Sequence, residues 1–144
     1  VCSSDLEGVV KKYIIIKRNG LKIGVFALDP KLEGLVSKVN YGIIKYLDPI
    51  AVANDMATML KKKQKCDLVI CISHLGWEEN GMGDQMMIAG SRDIDLVLGG
   101  HSHTYFKTLR YVKNLDGKDI PVDQNGKNAI YVGKMVLDFT QNKK

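Results

Sequence analysis

All three histidines of this 144-residue chain follow strand-like apolar runs. His74 comes directly after "DLVICIS" in Ser73-His74-Leu75-Gly76, while His101 and His103 come directly after "IDLVLGG" in Gly99-Gly100-His101-Ser102-His103. Neutral imidazoles are good ligands for Zn, Mn, Fe or Co. In an open α/β sheet, the functional crevice forms where loops converge at the carboxyl ends of parallel strands. If the two runs are adjacent parallel strands, about 4.8 Å apart, His74 and His101 emerge side by side, within reach of one metal ion. In an extended segment, residues two apart point the same way, so His101 and His103 present their rings together and Ser102 faces away. Gly99 and Gly100 remove side chains that would keep the backbone from passing close to a bound ion or phosphate. The plain alternative is three unrelated core or surface histidines. The H-x-H pair behind Gly-Gly, with Ser-His-Leu-Gly closing the preceding run, favours ligation.

The elements that must position these residues can be read in order. Two β-rich runs, "VVKKYIIIK" and "LKIGVFAL", flank Arg18-Asn19-Gly20, and Asn-Gly between apolar runs predicts a hairpin. Residues 29 to 47 read as loop. Asp48-Pro49 supplies an N-cap and a proline suited to the first helical position, with Val52, Met56, Met59 and Leu60 on one face and lysines in the last turn. A strand ending at Ser73, a short helix around "DQMMIAG" and a strand ending at Gly100 complete the histidine-bearing unit. Continuous apolar strands alternating with helices imply parallel strands covered on both faces. After the histidine pair, "FKTLRYVK", a turn at Asp116-Gly117-Lys118, "DIPVDQ" and "AIYVGKMVLDF" read as a return to β-structure.

Composition narrows the class. Hydrophobic residues at 45% and charged residues at 26% describe an ordinary globular domain, and no apolar run approaches the roughly 18 residues of a membrane span. The net charge of +5 comes mostly from lysine, and its densest cluster, "KKKQK" at 61–65, falls at a helix C-terminus, where lysines complement the helix dipole. An Arg-rich face and stacking aromatics are missing, so a nucleic acid polymer is not the expected partner. Cys2, Cys66 and Cys71 form neither a C-x-x-C pair nor an even framework, and Cys71 reads as a small buried hydrophobe. "VCSSDL" at 1–6 reads as a non-native leader, a translated sequencing scar, with the domain proper over 7–144.

"SHLG" at 73–76 and "GGHSHT" at 99–104, with "IDLVLGG" between them, resemble the C-terminal half of the catalytic domain in the 5'-nucleotidase branch of the calcineurin-like metallophosphatases. "NGLKIGVFAL", "YLDPIAVANDMATMLKKKQKCDLVICISHLG" and "VDQNGKNAIYVGKMVLDF" extend the likeness from about Val9 onward. The resemblance implies an α/β fold, part of a four-layered αββα sandwich incomplete on its N-terminal side, with two divalent metal ions at the strand ends. It implies that His74 and His101 ligate one metal and His103 the other. The family's D-x-H, bridging G-D and G-N-H-[DE] motifs have no counterpart here. Gly83-Asp84 lies between the histidine motifs and follows no buried strand, so Asp84 is not given the bridging role.

The resemblance implies hydrolysis of 5'-nucleotides or related phosphate monoesters by metal-activated water, with a nucleoside monophosphate as the typical substrate. It also implies a periplasmic or secreted location, and a chain inactive without its upstream carboxylates. A phosphodiesterase or sugar-nucleotide hydrolase of the same superfamily is the nearest alternative, and a non-catalytic metal-binding module the more distant one. Trp77 reads as packing before substrate contact. Asp48, Glu78 and Glu79 read as a cap and solvated charges, and Ser102 and Thr104 as hydroxyls that steady the histidine loop.

Overall fold

The computed structural model describes residues 10–78 and 81–139, so the leader expected at 1–6 lies outside the described residues. The chain opens with β1 (Ile14–Arg18) and β2 (Leu21–Leu28), paired antiparallel. Their turn is the expected one, with Asn19 at φ 48° and Gly20 at φ 79°, both left-handed as a two-residue hairpin of this twist requires. A loop carrying the one-turn α1 (Lys38–Tyr41) leads to α2 (Pro49–Thr58), which runs on into a π-helical turn at Met59–Lys63. The Asp48 carboxylate caps α2 by accepting from the Ala51 N–H at 2.9 Å. β3 (Leu68–Ser73), α3 (Asp84–Ala89), β4 (Leu96–Leu98), β5 (Arg110–Lys113) and β6 (Asp119–Asp123) follow.

These strands form one six-stranded sheet in the order β1-β2-β3-β4-β6-β5. β2, β3, β4 and β6 are parallel neighbours, and antiparallel β1 and β5 form the two edges. Pairs Ile70↔Leu96 and Ile72↔Leu98 bring the ends of β3 and β4 level. The core lies on the face shared with the helices, where Val69, Cys71, Val97 and Val122 pack with Met87, Ile88 and Ala57. The buried stripe of α2 is Ala53, Ala57 and then Leu60, with Val52, Met56 and Met59 only partly buried beside it. The predicted face is therefore rotated: small alanines sit innermost because the helix approaches the sheet closely. At Gly24 of β2 an added Cβ would come within 2.9 Å of the Leu60 side chain.

Cover on both faces of the sheet, expected from the apolar strands, is not what the described residues provide. The face opposite the helices carries an exposed Ile72 and Leu98, and Met135 and Leu137 only partly close a hollow of about 380 Å³ over Ile70, Leu96 and Leu98. The strand expected over "AIYVGKMVLDF" is likewise absent, since residues 131–139 have no ladder partner. Gly133, Met135 and Leu137 line that hollow without pairing to the sheet, and Gly133 lies so close to the Asn125 side chain that a Cβ there would collide with its amide. The lysine cluster closes its helix as expected. Lys61 pairs with Asp95 at 2.6 Å and Lys62 with Asp93 at 3.2 Å.

Candidate metal centre

His74 and His101 leave the carboxyl ends of adjacent parallel strands and meet, with ring centroids 5.0 Å apart and planes inclined at 67°. The His74 N–H donates to the Leu28 carbonyl at 2.8 Å, which carries the β2–β3 ladder to the base of the imidazole. Gly100 makes room for that imidazole: a Cβ at this position would sit 3.2 Å from His74 Nδ1. This is a different use of the glycine from the expected approach of backbone to an ion.

His103 is exposed and does not join the other two as a third ligand. Among the described residues no three His, Cys, Asp or Glu side chains converge closely enough to hold one ion. The segment is not extended either. His101 has φ 72° and His103 φ 56°, and a three-residue turn about His101 is closed by the Ser102 N–H donating to the Gly100 carbonyl at 2.9 Å. The period-two argument for His101 and His103 therefore fails. Left-handed backbone at non-glycine residues is sparse and collects at functional sites. Two imidazoles at this spacing fit a shared divalent cation but make only part of its shell.

Beneath the rings a hydrogen-bond network joins the two loops. The Trp77 N–H, from the His74 loop, donates to Ser102 Oγ at 3.0 Å. Ser102 Oγ also contacts Gln124 Oε1 at 2.9 Å and Thr104 Oγ1 at 2.9 Å. An amide oxygen only accepts, so Ser102 donates to Gln124 and Thr104 donates to Ser102, which uses all the capacity of the Ser102 hydroxyl. Gln124 Oε1 also accepts from the Thr104 N–H at 2.6 Å. Gln124 was not foreseen in the sequence, although Ser102 and Thr104 were.

Asp84, given no bridging role on sequence grounds, has an unusual environment. It is 0% exposed at the first residue of α3, and neither carboxylate oxygen has a hydrogen-bond partner. Burial raises its carboxyl to about 6; the nearby Ser73 hydroxyl opposes that rise without reaching hydrogen-bond geometry to either oxygen. Burial, and then the charge of Asp84, push the Cys71 thiol far above its ordinary range. The carboxylate occupies the space left by the missing side chain of Gly99, where a Cβ would come 2.5 Å from Oδ2. Asp84 is thus held below the sheet end, among Cys71, Ser73 and Gly99, as a buried group under the histidine loops.

The other candidates fall into plainer roles. Trp77 packs edge to face on Phe106 with centroids 4.9 Å apart, which is the packing role expected. Asp48 is the α2 cap, Glu78 accepts from Gln85 Nε2 at 2.6 Å, and Glu79 lies outside the described residues. His74 and His101 form one wall of an open cavity of about 580 Å³, whose other walls come from residues 29–46, among them Leu32, Val36, Tyr41 and Tyr46.

No family model matches the chain. It is 28% identical to an apyrase of Tabanus yao over 152 residues, covering 94% of this chain and 26% of that protein. It is 34% identical to a 5'-nucleotidase of Vibrio cholerae over 101 residues, covering 62% of this chain and 18% of that protein. Among solved structures, a 5'-nucleotidase precursor from Thermus thermophilus superposes with a TM-score of 0.71 at 26% identity, covering 84% of this chain and 25% of that one. The mixed sheet with helices is the fold that this chain shares with its metallophosphatase neighbours. These comparisons make the chain similar to the 5'-nucleotidase branch of the calcineurin-like metallophosphatase superfamily, and it spans about a quarter or less of the length of these relatives.

Proposed function

We propose that this chain carries one part of the metal-binding apparatus of a hydrolase acting on 5'-nucleotides or related phosphate monoesters. The observation that supports it is the 5.0 Å pairing of His74 and His101 at level ends of adjacent parallel strands. In this reading His74 and His101 hold one divalent cation through neutral imidazole nitrogens, and His103 faces a second. Bound metal supplies charge neutralisation at the phosphoryl oxygens and a hydroxide near neutral pH. The chain's own residues do the holding. Ser102, Thr104 and Gln124 fix the loop that carries His101 and His103, and no histidine acts as the base. The cavity beside His74 and His101 is large enough for the leaving group of a small ester, with apolar walls that suit a ring better than a polyol.

The substrate class is carried over from relatives named 5'-nucleotidase, and a periplasmic or secreted location from the family resemblance alone. No helix among the described residues is long and apolar enough to cross a membrane. The test is phosphate release from AMP by the parent protein, with a phosphodiester for comparison. Metal-dependent release from the monoester, abolished by a chelator, is expected; release from the diester alone would overturn the reading. The 144-residue chain, lacking the upstream carboxylates, is expected to turn over no faster than metal-free controls, and rates of about 1 per second would refute that division of labour.

A further inference from the structure

Two buried polar groups near the metal rim lack partners, and they are complementary. Gln124 is 1% exposed, and its Nε2 donates to nothing. Its amide cannot be reversed, because the Thr104 N–H points at the oxygen from 2.6 Å and an NH₂ there would set donor against donor. Nε2 is therefore directed away from the histidine loop. A Cβ on Gly99 would lie 3.1 Å from Gln124 Nε2 and 2.5 Å from Asp84 Oδ2, so both orphan groups border the same space on the same side of that glycine. The register accounts for the meeting. Ile72 pairs with Leu98 and Leu98 with Asp123, so one step further along the strands Ser73, Gly99 and Gln124 form a row on the helix side. Asp84 is held against that row by its own N–H, which donates to the Gly76 carbonyl at 2.7 Å.

We infer that Asp84 and Gln124 act as one buried positioning pair, the Asp84 carboxylate accepting from the Gln124 amide across Gly99 and so locking the amide in the orientation that holds Ser102 and Thr104. An unpaired buried donor and an unpaired buried acceptor each cost free energy that their union recovers. The pair touches neither substrate nor ion; it acts through the Ser102–Thr104 backbone on His101 and His103. Its bearing on metal binding rests on the functional reading above, whereas its bearing on the loop does not.

The test exchanges donor and acceptor in the full chain. Gln124→Glu sets a second carboxylate against Asp84, and Asp84→Asn combined with Gln124→Glu restores one donor and one acceptor with the roles reversed. Amide hydrogen exchange at Thr104 and Trp77, measured without metal, should speed up about tenfold or more in Gln124→Glu and return close to the parent rate in the double variant. Affinity for Zn²⁺ or Mn²⁺ should follow the same order, with a loss of about 10- to 100-fold and its recovery, the range typical of groups that orient ligands. If Gln124→Glu does not fold, folding of the double variant becomes the measurement, and its failure to fold overturns the pair. Losses that multiply in the double variant also overturn it. Rescued exchange without metal binding in any variant would uphold the pair and refute the metal centre.

Discussion

The imidazoles of His74 and His101 meet edge to face at 5.0 Å, although they belong to loops after different strands. Parallel pairing of β3 with β4 brings them together, so the meeting follows from the register of the sheet. Replacing either histidine by alanine should lower Zn²⁺ or Mn²⁺ affinity at least about tenfold in a calorimetric titration of the full chain. His103→Ala should leave that first affinity unchanged, because His103 does not share its ion in the proposed arrangement. Equal losses at all three positions would place them on a single cation instead.

Gly99 and Gly100 predict different failures. Gly99→Ala drives a methyl into Asp84 Oδ2 at 2.5 Å and crowds Gln124 Nε2, both in a fully packed region. A loss of about 1–3 kcal/mol in urea denaturation is expected from such overpacking. Gly100→Ala presses only on the half-free His74 ring at 3.2 Å, so its effect should be smaller on stability and larger on metal affinity. The reverse order would contradict the assignment of Gly99 to Asp84 and of Gly100 to His74.

Asp84 makes stability depend on pH with a definite sign. Its folded carboxyl titrates near 6 and an unperturbed one at 3.8, so the folded chain binds this proton more tightly than the unfolded chain does. The contribution is complete below about pH 4 and is lost as pH rises through 6. The loss is at most about 3 kcal/mol, and the Gln124 amide acts to reduce it. Urea midpoints of the parent relative to Asp84→Asn should fall between pH 4 and pH 7; a difference that rises or stays level with pH would be incompatible with a buried, ionising Asp84.

Asp48→Ala removes the one side-chain acceptor that caps α2, the Ala51 N–H bond at 2.9 Å. About 1 kcal/mol of stability should go with it, seen in the denaturation midpoint, while metal affinity stays at the parent value because α2 does not reach the histidine rim.

Local rules made much of this fold legible. Asn19-Gly20 requires left-handed backbone and so announces the hairpin, Asp48-Pro49 satisfies the start of α2, and the two apolar runs before His74 and His101 lead to one rim because parallel strands end together. What stayed hidden depends on contacts between distant segments. Nothing near Gly99 in the sequence points to Asp84 as the group that fills its missing side chain, or to Gln124 as its neighbour. A buried carboxylate without a partner looks the same in sequence as a helix-starting Asp on the surface. The alternation in 131–139 reads as a strand, but a strand also needs a neighbour with free backbone groups, and residues 131–139 have none. His101 and His103 take left-handed backbone where the loop turns sharply, about His101 first, which a period of two cannot foretell.

The hydrogen bond from the Trp77 N–H to Ser102 Oγ ties the two histidine-bearing loops into one mechanical unit. A guest that stills either loop will quiet the other as well, since neither can swing out without tearing a shared, saturated hydroxyl away from three neighbours. In the proposed metal centre the rim would therefore receive a first ion as a nearly finished mould, with most of the ordering that a later arrival demands accomplished before it comes.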